Sequence, residues 1–411
     1  MPEFLDLIPP DRAWAQFREV LPVNVRGKTI PTAEALGRVT YQDVQAPVPL
    51  PDFRRSTVDG YAVKASDTHG ASDALPAYLS CIGEVPMGRS PDFQLEETQC
   101  ALIHTGGMIP PGANAVVMVE DTQETATGEI EIFRAAGVGE NVIEEGEDVA
   151  QGELVIPRGS LIRPAEIGGL MALGITEVMV SQRPRVGIIS SGDEVISPAQ
   201  EPVPGEVRDV NTYTLSALIE QAGGKSVHYG IVADREDAMT AALRKAQSEC
   251  QLVIVTAGSS ASARDLTARV MDRLGRPGVL VHGVNVKPGK PTILGAADDT
   301  ALIGLPGNPV SALVIASLFV VPVIRTLLGE RMSRPPSSVP ATLIVNVASA
   351  SGREDWVPVK LERSPEGSYQ AQPIFGKSNL IFILSRADGL VRIPSEANGV
   401  SAGAEVTVRL F

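Results

Sequence analysis

The stretch Cys250 to Leu266, CQLVIVTAGSSASARDL, constrains the fold of this chain more than any other. Its run LVIVT is β-branched and uncharged and ends abruptly in small residues, the pattern of a short strand buried on both faces. In the turn that follows, Gly258, Ser259 and Ser260 leave backbone N–H groups bare, and Asp265 stands where it would cap the next helix. Such a turn is a candidate cradle for an oxyanion or a phosphate. On this stretch alone, an ordinary α/β strand ending in an Asp-capped loop accounts for the same residues.

A chain of 411 residues is too long for one compact core, so several domains are expected. With 49 acidic against 35 basic residues the net charge is −14, and no Lys/Arg cluster breaks it, which argues against binding along a nucleic-acid backbone. An anionic ligand needs a locally positive pocket instead. Cys81, Cys100 and Cys250 are odd in number and lack CxxC or His spacing, which argues against disulfides and zinc and fits a reducing cytosol. The start MPEFLDLIPP has neither the basic region nor the apolar core of a signal peptide.

Taken in order, a helix near Asp11 to Leu21 and a short one from Thr32 to Leu36 precede a Pro/Gly-punctuated region with the β-rich runs LPAYLS, CALI, AVVMVE and EIEIF. The segment RPAEIGGLMALG, with Pro164 at the first helical position and Gly174 at its end, predicts a helix packing beside the N-terminal ones. From Arg185 strand and helix patterns alternate, which is the signature of a doubly wound α/β domain. Gly304 to Ile324 carries no charge over 21 residues, enough to cross a bilayer, but Pro306, Pro309 and Pro322 interrupt it. It reads as a buried helix over about Val310 to Val321, with no membrane insertion. RPPSSVP, Arg334 to Pro340, reads as a linker, and the last 71 residues alternate as strands of a small β-barrel or sandwich.

Asp193, Glu194, Asp209, Asp234 and Asp265 all fall just after strands or before helices, positions that converge at the carboxyl ends of a doubly wound sheet, where ligands bind. Each is also a good helix cap and needs no ligand to explain it. Two loops tip the reading toward a site: VNVKPGKP sets Lys287 and Lys290 among prolines, and GLPGNP adds Pro306 and Pro309 beside a helix start. Several acids and two lysines around one crevice suit a metal-bound anion.

Together these segments resemble the MoeA family, the molybdopterin molybdenumtransferases, whose eukaryotic member is the E domain of gephyrin. The resemblance rests on PTAEALGRV, APVPLPDF, STVDGYAV, HTGGMIPPGANAVVMVED, GENVIEEGEDV, PRVGIISSGDE, VNVKPGKP, GLPGNPVSAL, SGREDW and RADGLVRIP, in that order over nearly the whole chain. It implies a multidomain α+β and α/β fold, an elongated four-subdomain chain with a doubly wound, MogA-like α/β domain, a β-rich lobe and a C-terminal small β-barrel. The divisions expected are a helical N-terminal subdomain of residues 1–46 plus 148–181, an inserted β-rich lobe of 47–147, the molybdopterin-binding domain of 182–330 and the barrel of 334–411. The resemblance also implies a cytoplasmic homodimer whose cleft joins the lobe of one chain to the α/β domain of the other. There adenylylated molybdopterin is hydrolysed with Mg²⁺ and molybdate is inserted into its dithiolene. By position Asp59, Thr105, Asp148, Glu194, Asp234 and Asp265 match the polar catalytic set, with Glu194, Asp234 and Asp265 as metal ligands. Gly258, Ser259, Ser260, Lys287, Lys290, Pro306, Pro309, Arg353 and Ser378 match the cofactor-binding set.

The chain also departs from the family. TAGSSASARD stands where SGGVSVGDxD is usual, so two glycines become Ala257 and Ser262, a loss expected to cost about 1 to 2 kcal/mol or block the ligand wherever positive φ or close approach is required. Gly283 replaces a lysine, Asn114 an aspartate, and Ile143 an arginine that Glu144 and Glu145 follow. Asn379, Ile381, Phe382 and Ile383 form an apolar run that is either core or a partner-binding patch. Two functions follow: the molybdenumtransferase, or a repurposed gephyrin-like dimeric scaffold that binds a linear peptide of a cytoskeletal or membrane partner.

Overall fold

The computed structural model describes residues 7–257, 261–331, 335 and 337–411. Leu252–Ala257 is buried at all six positions and lies inside a six-stranded sheet. Its neighbours in order are Lys225–Val232, Arg185–Ser191, Leu252–Ala257, Thr300–Pro306, Ile293–Ala297 and Pro277–His282. The first four run parallel, and the last two add an antiparallel edge.

The period of two along the central strand sorts its side chains onto opposite faces. Leu252 and Ile254 join a core with Leu215, Ile219, Val314 and Phe319, while Val253 and Val255 join another with Met239, Leu243, Ala268 and Met271. Helices therefore cover both faces, as expected of a doubly wound sheet. Truncating such a residue, Ile254→Ala for example, removes about 2–5 kcal/mol through lost burial and the cavity left behind.

The uncharged segment does form a helical run in this core, with Val310, Ala312, Phe319, Val320 and Ile324 buried, but it continues to Leu327 rather than ending near Val321. A π-helical turn, Ala316–Val320, separates Pro309–Ile315 from Val321–Leu327 and sets Pro322 in the first turn of the second α-helical part. A proline there forfeits an N–H that would have had no helical partner.

The N-terminal helix, Pro10–Glu19, packs its Ala13 and Phe17 into the α/β core, with Leu21 just beyond it. The stripe Ala13–Phe17–Leu21 at spacing four has only one apolar face to bury, and the sheet's flank takes it. So the helix Pro164–Ala172 lies beside only the second predicted element, which is a 3₁₀ turn, Thr32–Glu34, around the core of Ile30, Ala35, Ile162 and Leu170. Gly37, at φ 71°, ends that turn too soon for an α-helix. Strand pairing of Gly27–Pro31 with Glu177–Ser181 brings the chain back after a second six-stranded sheet, the β-rich lobe.

The C-terminal strands close on themselves. Glu354–Arg363, Tyr369–Pro373, Ser338–Leu343, Glu405–Leu410 and Gly389–Ile393 pair in that order, and the last pairs back onto the first, making a small barrel rather than a sandwich. The expected linker is shorter than its Pro/Ser content suggests, because Ser338 to Pro340 already belong to the barrel; Arg334 and Pro336 lie outside the described residues. Pro340 is tolerated because there the strand pairs only with Glu405–Leu410. The apolar run divides: Ile383 and Leu384 join the α/β core, whereas Leu380 and Phe382 stay 51% and 70% exposed.

All three cysteines are free. Cys81 and Cys100 are nonetheless direct cross-strand neighbours in the lobe, a proximity that spacing in sequence does not reveal, and burial pushes the Cys100 thiol up.

Candidate active site at the topological switch point

Arg185–Ser191 has Lys225–Val232 on one side and Leu252–Ala257 on the other, so the strand order reverses there and opens a crevice beyond the carboxyl ends. Ser190 and Thr256 end those strands and meet, Oγ to Oγ1, at 3.3 Å. Ser190 Oγ also donates to Asp209 Oδ2 at 2.9 Å, and Thr212 donates to the same carboxylate through Oγ1 at 2.6 Å and through its N–H at 3.1 Å. Asp209 is buried yet fully supplied with donors, so its role is to hold the crevice floor and cap the helix Asn211–Gln221.

Ser191 Oγ donates to Asp234 Oδ1, and the Asp234 N–H donates to Asp193 Oδ1 at 3.2 Å. Asp234 is therefore no helix cap as expected: the helix begins at Glu236, after Arg235, with no side-chain capping bond. Glu194 lines a cleft of about 430 Å³ with Ser190, Asp209, Thr256, Asn308 and Pro309. Among the described residues, no three Asp, Glu, His or Cys side chains converge on a point where one ion could sit.

A larger cleft of about 550 Å³ adjoins this one at Gly307 and Asn308, which line both. Lys287, Lys290, Pro306 and Ser378 line it, together with Trp356 and Phe375. The lysine loop owes its position to the barrel, since Val286–Lys287 pairs in parallel with Glu354 and Asp355. Arg353 clamps Asp355 with two bonds, at 2.7 and 3.1 Å; Asp355 lines the cleft, whereas Arg353 itself does not. Ser378 Oγ accepts from the Asn308 amide at 3.0 Å.

The remaining site residues stand apart. Asp59 and Thr105 meet in the lobe, where Asp59 Oδ1 accepts from the Thr105 N–H at 2.8 Å and its hydroxyl at 3.3 Å. That N–H, more than the hydroxyl or nearby His104, holds the Asp59 carboxyl below its usual range. Asp148 is exposed, its N–H bonded to Leu50 O. Neither cleft is lined by these three residues.

Gly258, Ser259 and Ser260 lie outside the described residues. Asp265 is half-buried one turn inside the helix Ala261–Asp272 and does not cap it. Alanines, the best helix formers, let that helix begin four residues earlier than the acid suggests. Ala257 ends a strand opposite Pro306 and residue 262 is helical, so neither substituted glycine occupies a backbone position that calls for glycine. The expected backbone penalty is absent. Asn114 has a structural use, its Oδ1 accepting from Ala65 N–H at 2.8 Å, and Glu144 is paired with Arg54 at 2.8 Å.

Asn211, Asn308 and Lys377 were not singled out by sequence reasoning, although Asn308 lies within the quoted GLPGNP. Asn211 Nδ2 donates to Gly307 O at 2.8 Å, which fixes the amide, while Oδ1 is buried with no partner among the described residues. Only Asn308 immediately before Pro309, at a helix start, gave any sequence signal.

Three family models match in succession: the MoeA N-terminal region (domain I and II) over residues 8–174, a probable molybdopterin binding domain over 187–326, and the MoeA C-terminal region (domain IV) over 340–411. The chain belongs to the MoeA family. It is 31% identical over 402 residues to the molybdopterin molybdenumtransferase of Haemophilus influenzae, covering 98% of each chain. It is 34% identical over 385 residues to molybdopterin molybdenumtransferase 2 of Mycobacterium tuberculosis, covering 92% of this chain and 94% of that one. Among solved structures, a MoeA protein of Pyrococcus horikoshii superposes with a TM-score of 0.86 at 30% identity, covering 99% of this chain and all of the other. These matches are to full-length MoeA proteins, so the closed barrel and α/β domain seen here belong to one family architecture.

Proposed function

We propose that this chain is a molybdopterin molybdenumtransferase of molybdenum cofactor biosynthesis, which inserts molybdate into adenylylated molybdopterin. The observation that carries the reading is the adjacency of two clefts at Gly307 and Asn308, one with carboxylates at the sheet's switch point and one with Lys287 and Lys290. The lysines would neutralise the phosphate and molybdate oxygens in a walled cleft, where such charges act more strongly than in water. Prolines 288, 291 and 306 fix the direction of the loops that carry them.

Glu194 and Asp234, with Asp193 beside Asp234, offer the hard oxygen donors that suit Mg²⁺. They fit an ion held through one or two carboxylates and completed by substrate phosphate, not a cage built by the protein alone. A bound Mg²⁺ would supply charge neutralisation at the phosphoanhydride. Asp265 completes the set by position in the family, and Arg353 acts by holding Asp355 in the cleft wall.

Asp59, Thr105 and Asp148 are assigned to the cleft of a partner chain, with the protein working as a homodimer of four-subdomain chains divided at 1–46 plus 148–181, 47–147, 182–330 and 334–411. What supports this is that Asp59, Thr105 and Asp148 line neither cleft of their own chain. The molybdenumtransferase relatives favour the enzyme over the peptide-binding scaffold. The test is release of AMP from adenylylated molybdopterin with Mg²⁺ and molybdate. Binding of the nucleotide without any turnover would remove the transferase reading.

A further inference from the structure

Arg264 belongs to none of the matched motif residues, yet its side chain lines the same cleft as Lys287, Lys290 and Lys377. It is the fourth residue of the helix Ala261–Asp272, at the end of a first turn that contains no acidic residue. A cation so near the positive end of a helix is repelled by the helix dipole, so the helix gains nothing from its charge. The cleft does. Among the described residues of its wall Asp355 is the one acid and already has Arg353, so this lining is cationic in a chain whose net charge is −14.

The substitution pattern points the same way. Gly283 stands where the family often has a lysine, four residues before Lys287. That change removes a cationic donor, and the Arg264 guanidinium brings a planar fork of donors into the same cleft.

We propose that Arg264 is a substrate-binding residue of this chain, a ligand for a tetrahedral oxyanion in the lysine cleft, supplying a cation where position 283 has none. The proposal rests on the transferase reading above. The oxyanion is either the phosphate of the adenylyl group or molybdate itself, and the two are separable by probe.

The experiment is calorimetric titration of the full-length protein with AMP and, separately, with sodium molybdate, comparing wild type, Arg264→Ala, Arg264→Lys and Lys290→Ala. Arg264→Ala is expected to weaken one of the two probes at least 10-fold, which names the oxyanion. Arg264→Lys should recover only part of the loss, because an ammonium lacks the planar fork. Circular dichroism and thermal unfolding of Arg264→Lys, which keeps the charge, check that the fold is intact; wild-type affinity of folded Arg264→Lys for both probes would overturn the role of the planar fork and with it the proposal. If Lys290→Ala loses binding while Arg264→Ala binds both probes like wild type, the proposal fails and the transferase reading stands. If wild type binds neither probe, both fall.

Discussion

The side-chain amide of Asn308 donates to the hydroxyl of Ser378 at 3.0 Å, and it does so on the turn that separates the acidic cleft from the cationic one. Close by, Val310 N–H donates to Ser378 O, also at 3.0 Å. One residue of the barrel's connecting loop thus fixes the boundary between the two halves of the site and ties it to the helix start at Pro309. Ser378→Ala should cost about 1 kcal/mol of stability by leaving that amide without its acceptor. Differential scanning calorimetry will show the lowered midpoint, and a more than proportionate drop in AMP release would show that the boundary matters to the chemistry.

Lys290→Ala and Asp265→Ala are each expected to lower hydrolysis of adenylylated molybdopterin by at least ~10²-fold, since Lys290 lines the cationic cleft and Asp265 belongs by position to the catalytic set. The assay contains Mg²⁺ and molybdate at saturating concentration. Wild-type rates in both variants would exclude the two residues from the mechanism.

Asp209→Ala removes the acceptor on which Ser190 and two donors of Thr212 converge. The Thr212 N–H loses its partner, while the Ser190 and Thr212 hydroxyls keep each other at 3.0 Å, so a loss of about 1–3 kcal/mol is expected in urea unfolding, the range for unsatisfied groups. Asp209→Asn, which keeps an acceptor oxygen, should recover part of it. Equal stability of Asp209→Ala and wild type would show that water replaces the carboxylate.

Asp59 is depressed in the folded chain, chiefly by the Thr105 N–H. An unfolded aspartate titrates near pH 3.9, so the contribution of this group is present above that pH and is lost as pH falls through its lower folded value. The group is highly exposed, so the effect on stability is small. NMR titration should place the Asp59 carboxyl below 3.9, and Thr105→Pro, which deletes the N–H, should move it upward if the lobe stays folded by circular dichroism. An unchanged value with the fold intact would assign the shift to His104 instead.

Light scattering at micromolar concentration should give twice the chain mass. The motivation is geometric: Asp59 and Asp148 belong to the catalytic set by position but line neither cleft of their own chain. A monomer that retains full turnover would require all the chemistry to come from the α/β domain and barrel.

The sequence by itself determined which segments form the central sheet and which residue types could serve it. LVIVTA reads as a strand buried on both faces, because six apolar and small residues with no charge have no solvent face to offer, and all six positions of Leu252–Ala257 are buried. The motif order also pointed to the family, through short stretches such as VNVKPGKP and GLPGNP whose local conformation prolines restrict. Tertiary structure decided what local rules leave open. Pro322 was expected to end a helix, and a π turn let the helix run on; Asp234 and Asp265 were expected to cap helices, and neither does. It also decided how the site is shared out. That Lys287 pairs with the barrel strand at Asp355, that Asn308 reaches Ser378, 70 residues away, and that Arg264 enters the lysine cleft are contacts between distant segments. Spacing along a chain carries no information about such contacts, because they exist only once the apolar faces of sheet, helices and barrel have been buried against one another.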